Sequence, residues 1–398
     1  MTVANARAWP RARQKVAQYR WLWPEVIVPF AITRCALLLV GWFAQFFPRN
    51  AAYPIKQAVA RGWHFSPYRL VDIWGRWDTG WYLDIAAHGY ALNGAPQTTQ
   101  SNIAFFPLYP FLVRCLAYLI PARLRTPGAT LLAGALLSNL LLLAALALLY
   151  ALVVALFADT AVARRAVFYL LIFPTSFFFS CMYTESIFLF LSVAAFYAAQ
   201  RRLFWLAAVL GALLALARPP GVLIAVPLAW LYFESLGWRV RKVGWGLAAL
   251  ALIPASLLGF LASLYPLTGN FFAPIQVQGA WGRGFAMPWQ TLLHPVGVVA
   301  FITPLDWLAT VGFLLLALIA LRRLPSLAYG LFALLLMLPP LLSGTLVSSA
   351  RFCAVLFPLF IVMALLARRR ALDQLLTVAF LVLQALLMAA WSQLYWIG

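Results

Sequence analysis

One stretch of this chain gathers the groups best suited to moving a proton: Arg76-Trp77-Asp78-Thr79-Gly80-Trp81-Tyr82-Leu83-Asp84-Ile85-Ala86-Ala87-His88-Gly89-Tyr90. Read as a short helix, it places residues 77, 81, 84 and 88 on one face and 78, 82 and 85 on the next, with Gly89 as the C-terminal stop. Asp84 and His88 are four apart and spaced to pair on the helix surface, a structural pairing. Asp78 stands at the helix start among Trp77, Trp81 and Tyr82. Such a setting suits a general base beside sugar-stacking rings, and equally an aromatic belt at a membrane interface. His88 suits either a hydrogen bond to phosphate or sugar, or a structural role at the helix end.

The remaining candidates are scattered. Glu185 lies in Tyr183-Thr184-Glu185, Arg218 in Arg218-Pro219-Pro220-Gly221, Gln278, Trp281 and Arg283 in one polar stretch, and Arg351 just after Ser348-Ser349. A planar guanidinium is matched to bidentate contact with phosphate. Arg218, Arg283 and Arg351 each fall at or near the end of an apolar run, where a charge is costly and reads as functional. The competing reading is that they snorkel to lipid phosphates. Arg34, in the middle of the first apolar run, calls for a partner, either a carboxylate of the same site or a purely structural one.

The elements that must carry these residues are apolar. Hydrophobic residues make up 65% of the 398 and charged residues 10%, against about 25% charged in soluble domains, so a soluble enzyme is excluded. The 29 Lys+Arg outnumber the 9 Asp+Glu, and the arginines cluster between apolar runs, as at Arg164-Arg165, Arg201-Arg202, Arg322-Arg323 and Arg368 to Arg370. That is the positive-inside pattern of a polytopic membrane protein, not a nucleic-acid-binding face. The four cysteines show no paired or metal-type spacing. No Asp-x-Asp motif, P-loop or Rossmann fingerprint is present, which disfavours a cytosolic nucleotide-sugar reaction. No His/carboxylate clustering argues for a tightly held metal, while weak divalent binding at Asp72 and Asp78 stays open.

Taking the basic N-terminus as cytoplasmic, apolar runs at 26–47, 130–157, 166–183, 185–200, 203–217, 221–234, 244–265, 301–321, 327–342, 352–367 and 371–391 predict about eleven spans. The expected fold is a single all-α membrane domain over 1–398, with a cytoplasmic segment 1–25 and large outer loops at 48–129 and 266–300. The run 104–120 is broken by Pro107 and Pro110 and reads as an interfacial helix of the first outer loop. This topology ends outside and gathers Asp78, Glu185, Arg218, Arg283 and Arg351 at the outer face.

Trp77-Asp78, Ile85-Ala86 and His88-Gly89-Tyr90, followed by Ala104-Phe105-Phe106-Pro107-Leu108-Tyr109-Pro110, resemble the first-loop signature of the GPI mannosyltransferase II (phosphatidylinositol-glycan class V) family and its bacterial relatives. Further matches follow in order: Tyr183-Thr184-Glu185-Ser186, the Arg218-to-Gly221 turn, Gln278 to Arg283 with Pro288-Trp289, Arg351-Phe352 with Phe357-Pro358, and Gln384 with Tyr395-Trp396. The resemblance implies a GT-C membrane glycosyltransferase in a bacterial plasma membrane, with its active site on the outer side. The implied reaction inverts the anomeric carbon and moves a sugar, typically mannose, from a polyprenyl phosphate to a lipid, glycan or protein. It places the family's first-loop aspartate on Asp78; the residues themselves predict no tightly bound cofactor, the polyprenyl-phosphate sugar being the donor substrate. The rival is a lipid or glycolipid transporter, which would more naturally carry internal repeats and mid-membrane polar groups.

Overall fold

The computed structural model describes residues 20–398 apart from 55, 57, 59–61, 93–98 and 294–301. The basic residues from Arg7 to Lys15 and His294 lie outside the described residues. Among those described there is no strand, and the chain is all-helical.

The apolar runs become helices in the expected order. They are α1 (Val28–Phe43), two short helices α2 (Arg69–Asp72) and α3 (Thr79–His88), α4 (Leu108–Tyr118), α5 (Pro127–Phe157), α6 (Thr160–Ile172), α7 (Glu185–Gln200), α8 (Phe204–Ala217) and α9 (Ala225–Ser235). Then follow α10 (Trp245–Ala249), α11 (Leu252–Thr268), α12 (Ala273–Gln276), α13 (Pro288–Leu293), α14 (Ile302–Arg323), α15 (Leu327–Leu341), α16 (Ser349–Cys353), α17 (Phe357–Leu366) and α18 (Arg370–Ser392). Five helical segments among the described residues are long and apolar enough to cross a membrane: Trp23–Phe46, Pro127–Phe157, Trp245–Thr268, Ile302–Arg323 and Arg370–Ser392. Each of the eleven expected spans holds a helix, but the others are shorter than a full crossing.

Burial explains the arrangement. α7 is apolar on nearly every side and is almost wholly buried, packed between α5 and α8, so it forms the centre. α1, α5, α14 and α18 instead expose Ile32, Leu39, Leu136, Leu140, Leu308, Leu315, Leu375 and Leu386, faces suited to lipid. α4 buries Tyr109 and Val113 against α5 and leaves Phe111 and Tyr118 exposed.

One expected span is corrected. The run 166–183 is not a continuous helix: α6 stops at Ile172, because Pro174 pushes the preceding Phe173 out of the helical region to φ −53°, ψ 139°. Residues 173–184 continue as irregular, buried backbone with one short 3-10 turn. Irregular backbone is tolerated at membrane depth where protein satisfies its polar groups. Arg34 does this: its guanidinium donates to the carbonyls of Leu171 (2.9 Å) and Ser176 (3.0 Å) and to the hydroxyls of Ser176 and Ser180. The Gln384 amide donates to Leu171 and Phe173 carbonyls from α18. Of the two partners open to Arg34, the structural one is present.

Candidate active site

The site begins at a strained residue. Trp77 has φ +48°, a conformation rare for a bulky side chain, and it turns the chain sharply into α3. The expected helix therefore starts at Thr79, not at residue 77, and Asp78 occupies its N-cap. An aspartate there normally accepts from the first backbone N–H groups. Asp78 makes no such cap bond. Its carboxylate reaches the Arg351 guanidinium instead, Nη1 to Oδ2 3.3 Å, and is 16% exposed. Gly89 ends α3 with φ +86°, as the spacing predicts.

The buried segment that follows α6 docks beneath this turn. The Met182 N–H donates to the Trp74 carbonyl (2.9 Å), and the Tyr183 hydroxyl donates to the Arg76 carbonyl (2.9 Å) while accepting from the Asp78 N–H (3.2 Å). The segment delivers Glu185 to the first turn of α7, where its side chain is 1% exposed. Glu185 Oε1 bridges two cations, Arg218 Nη1 at 3.1 Å and Arg351 Nε at 3.3 Å. Its other oxygen is buried without a partner.

Arg218 stands at the end of α8 in the expected Pro-Pro-Gly turn. Gly221 is required there because a Cβ would lie 2.3 Å from the Leu214 carbonyl oxygen. Arg351 sits on α16, a single turn that could not hold its own position. Asp306, buried inside α14, clamps it by accepting from the N–H groups of Ser348 (3.2 Å) and Ala350 (2.8 Å). Arg283 enters from the loop after α12, donating to the Gln278 side chain at 2.7 Å. One ring collects all three cations: the Cζ atoms of Arg218, Arg351 and Arg283 lie 4.7, 5.1 and 5.9 Å from the centroid of Phe352.

Two carboxylates thus face three guanidiniums, and one positive charge is left uncompensated. Burial, and then Arg351, bring Arg283 down from 12.5 to about 10, so it stays charged at neutral pH. Burial, then Asp78 and Glu185, push the Tyr82 phenol above its ordinary value and keep it a neutral hydrogen-bonding group. Beside the charges, Trp81, Phe105 and Trp281 make an aromatic wall, with Trp81 stacked on Phe105 at 5.9 Å and Trp281 edge-on to both. Tyr82 packs on Tyr183, its hydroxyl 3.5 Å from that of Thr184.

Asp78, Glu185, Arg218, Arg283 and Arg351 are brought together, with Gln278, Trp281, Trp81 and Tyr82 around them. His88 is not. It is exposed and pairs with Asp84 at 3.0 Å, and Asp84 is further tied to Asn102. Trp77 is buried among Tyr53, Trp63 and Trp396, a packing role beneath the site. Asp306, Tyr183 and Phe352 are residues that spacing does not single out. The partners of Asp306 are backbone groups 42 and 44 positions away, which leave no trace in side-chain pattern. Among the described residues no group of three or more His, Cys, Asp or Glu side chains gathers as a metal site.

Residues 59–238 match the mannosyltransferase (PIG-V) family model. The matched stretch holds Asp78, Glu185 and Arg218, and the family is the one whose signature the sequence resembles. No curated protein matches the chain. Solved structures of an Archaeoglobus fulgidus oligosaccharyltransferase are similar to it. The form with zinc and sulfate is 14% identical with a TM-score of 0.46, over 91% of this chain and 53% of that one. The apo form is 14% identical with a TM-score of 0.48, over 92% and 56%. The archaeal oligosaccharyltransferase AglB in complex with an inhibitory peptide and a dolichol-phosphate is 14% identical with a TM-score of 0.44, over 94% and 56%. The chain spans about half the length of these structures. Its long apolar helices and the mannosyltransferase match mark an integral membrane protein.

Proposed function

We propose that this protein is an inverting glycosyltransferase that moves a sugar, mannose by family habit, from a polyprenyl phosphate to a hydroxyl of a lipid, glycan or protein acceptor. The observation that carries the reading is the excess of guanidinium over carboxylate around Phe352, with the more exposed carboxylate at its edge. A net-positive, partly desolvated cluster favours a phosphate, most of all one gaining charge as a leaving group. The family match supports a glycosyltransferase.

In this reading Asp78 takes the proton of the acceptor hydroxyl as its oxygen attacks the anomeric carbon. The bond from that carbon to the phosphate oxygen breaks, and its electron pair leaves with the polyprenyl phosphate. Arg351, Arg218 and Arg283 hold that phosphate, Arg by bidentate contact. Glu185 keeps two of the three arginines apart and in place, and its unpaired Oε2 offers an acceptor for a substrate hydroxyl. Trp81, Trp281 and Tyr82 flank the sugar, Gln278 orients Arg283, and His88 stands by as an outer-loop support. The reading includes eleven spans, a cytoplasmic N-terminus, and a site on the outer side of the membrane. No tightly held metal is invoked.

The test is transfer of radiolabelled sugar from polyprenyl-phosphate-mannose in purified membranes, comparing wild type with Asp78→Asn. General-base loss lowers turnover by about 10²–10⁴-fold. Wild-type turnover by a folded Asp78→Asn protein removes Asp78 from the role, and no transfer by wild type from any polyprenyl-linked sugar removes the reaction.

A further inference from the structure

Trp77 separates two sites. On one side Asp78 meets Arg351. On the other, Arg76 lines a cavity of about 130 Å³ together with Arg49, His64, Arg69 and Asp72, beside the last turn of α18. At about 30 Å³ of liquid per water, that space is polar and roomy enough for a small hydrated anion.

The charge of this cavity does not balance. Asp72 is its single carboxylate, and it is already engaged. Oδ1 accepts from the N–H groups of Phe65 (2.8 Å) and Ser66 (3.1 Å), and Oδ2 lies 2.7 Å from both His64 Nδ1 and Arg76 Nη1. Arg76 is 3% exposed, yet its Nε has no partner. Among the described residues Arg69 donates to Gln45 alone, at 3.5 Å. Burial first, then repulsion from Arg49 and Arg76, pushes Arg69 below its ordinary value, and Asp72 offsets this only in part. Three arginines therefore converge on one committed carboxylate.

The surroundings set the depth. Exposed Trp42, Phe43, Phe46 and Phe47 directly precede Arg49, and exposed Tyr68 and Leu70 flank Arg69. A belt of exposed aromatic residues at the end of a span marks the headgroup level of a bilayer.

We propose that this cavity is a second anion site, separate from the Arg351 cluster, built for a phosphoryl group and filled by the headgroup of an anionic membrane lipid. Guanidinium forks match phosphate oxygens, and the rim of apolar rings accommodates the attached acyl chains. The occupant neutralises the crowded arginines at the base of the loop that carries Asp78 two residues on.

The experiment is native mass spectrometry of the full chain in neutral detergent, titrated with phosphatidylglycerol, with diacylglycerol, and with inorganic phosphate as competitor. Phosphatidylglycerol is expected to bind the wild type and to bind Arg49→Gln/Arg69→Gln about tenfold more weakly, the size of one or more lost charge-assisted contacts. Arg49 is exposed, so Arg49→Gln alone serves where the double variant unfolds. Displacement of the lipid by equimolar inorganic phosphate assigns the same site to free phosphate, which keeps the anion site and changes its source. Equal binding by wild type and variant overturns the proposal. So does equal binding of diacylglycerol, or loss of the lipid from Arg218→Gln in place of the Arg49 and Arg69 variants.

Discussion

Arg351 Nη1 lies 3.3 Å from the Asp78 carboxylate, joining residues 273 positions apart. The contact ties the α16 turn to the N-cap of α3, and the same guanidinium reaches Glu185 through Nε. Arg351 is 5% exposed, so its removal strands Asp78 and leaves Glu185 to Arg218 alone in a desolvated place. Arg351→Gln is expected to destabilise the protein by about 3–5 kcal/mol, the cost of breaking a buried pair on one side. Arg351→Lys keeps the charge and loses the fork. Its thermal midpoint should stay near wild type while KM for polyprenyl-phosphate-mannose rises about tenfold. A lysine variant with wild-type KM removes Arg351 from donor binding.

Among the described residues Asp306 reaches no charged side chain within pairing distance, and it holds the site through backbone N–H groups. Its two oxygens hold the N–H groups of Ser348 and Ala350, and Ser348 sits at φ +73°, a conformation the clamp must sustain. Asp306→Ala leaves both donors buried, at about 1–3 kcal/mol each. Asp306→Asn retains an acceptor and should fall between alanine and wild type in thermal midpoint. Since Asp306 acts by positioning Arg351, donor KM should rise more than kcat falls in the asparagine variant. A drop in kcat alone, with KM unchanged, speaks against positioning of a donor-binding residue.

The charged members of the site are legible in sequence because an apolar chain makes them conspicuous. Glu185, Arg218 and Arg351 each stand at the edge of an apolar run, where a charge has to be held by something, and Asp78 stands out among the aromatic residues around it. Helix positions follow from the same runs. What is not legible depends on the backbone. Residues 166–183 are apolar throughout, so a break after Ile172 looks improbable until Arg34 and Gln384 are seen to satisfy the freed carbonyls. The left-handed turn at Trp77 likewise moves the start of α3 by two residues and puts the tryptophan under the site instead of in it.

Metal dependence follows from how the acids are spent. Asp72 is bonded to His64, Arg76 and two backbone N–H groups, and Asp78 pairs with Arg351. Chelation with EDTA is expected to leave transfer within about twofold of the untreated rate, since each carboxylate already has charge-assisted partners that a weakly bound cation must displace. Loss of activity on chelation, restored by magnesium or manganese, shows that the divalent cation left open at Asp72 and Asp78 is needed.

Topology is testable by labelling. Tyr68 and Trp238 are both exposed, 74% and 54%, and the eleven-span reading puts them on opposite sides of the membrane. With exposed Cys35 and Cys115 replaced, Tyr68→Cys should react with an impermeant maleimide on intact cells, and Trp238→Cys only after permeabilisation. Reaction of Tyr68→Cys only after permeabilisation moves the site to the other face, and reaction of both from outside overturns the eleven-span count.

Asp159 carries the pH dependence furthest from the site. It caps α6, accepting from the N–H groups of Ala161 (2.9 Å) and Val162 (3.1 Å), and pairs with Arg368 at 2.7 Å. The Val162 N–H above all, and then Arg368, hold its carboxyl below the ordinary value. A folded-state pKa below the unfolded one means the ionised form favours folding. That contribution is complete above the unfolded value of about 3.9 and is lost as pH falls through the folded value. Asp159→Asn should therefore lower the thermal midpoint at pH 6, and the gap to wild type should close as pH falls below about 4. A gap that stays constant down to pH 3 means the cap works through shape alone and the charge adds nothing.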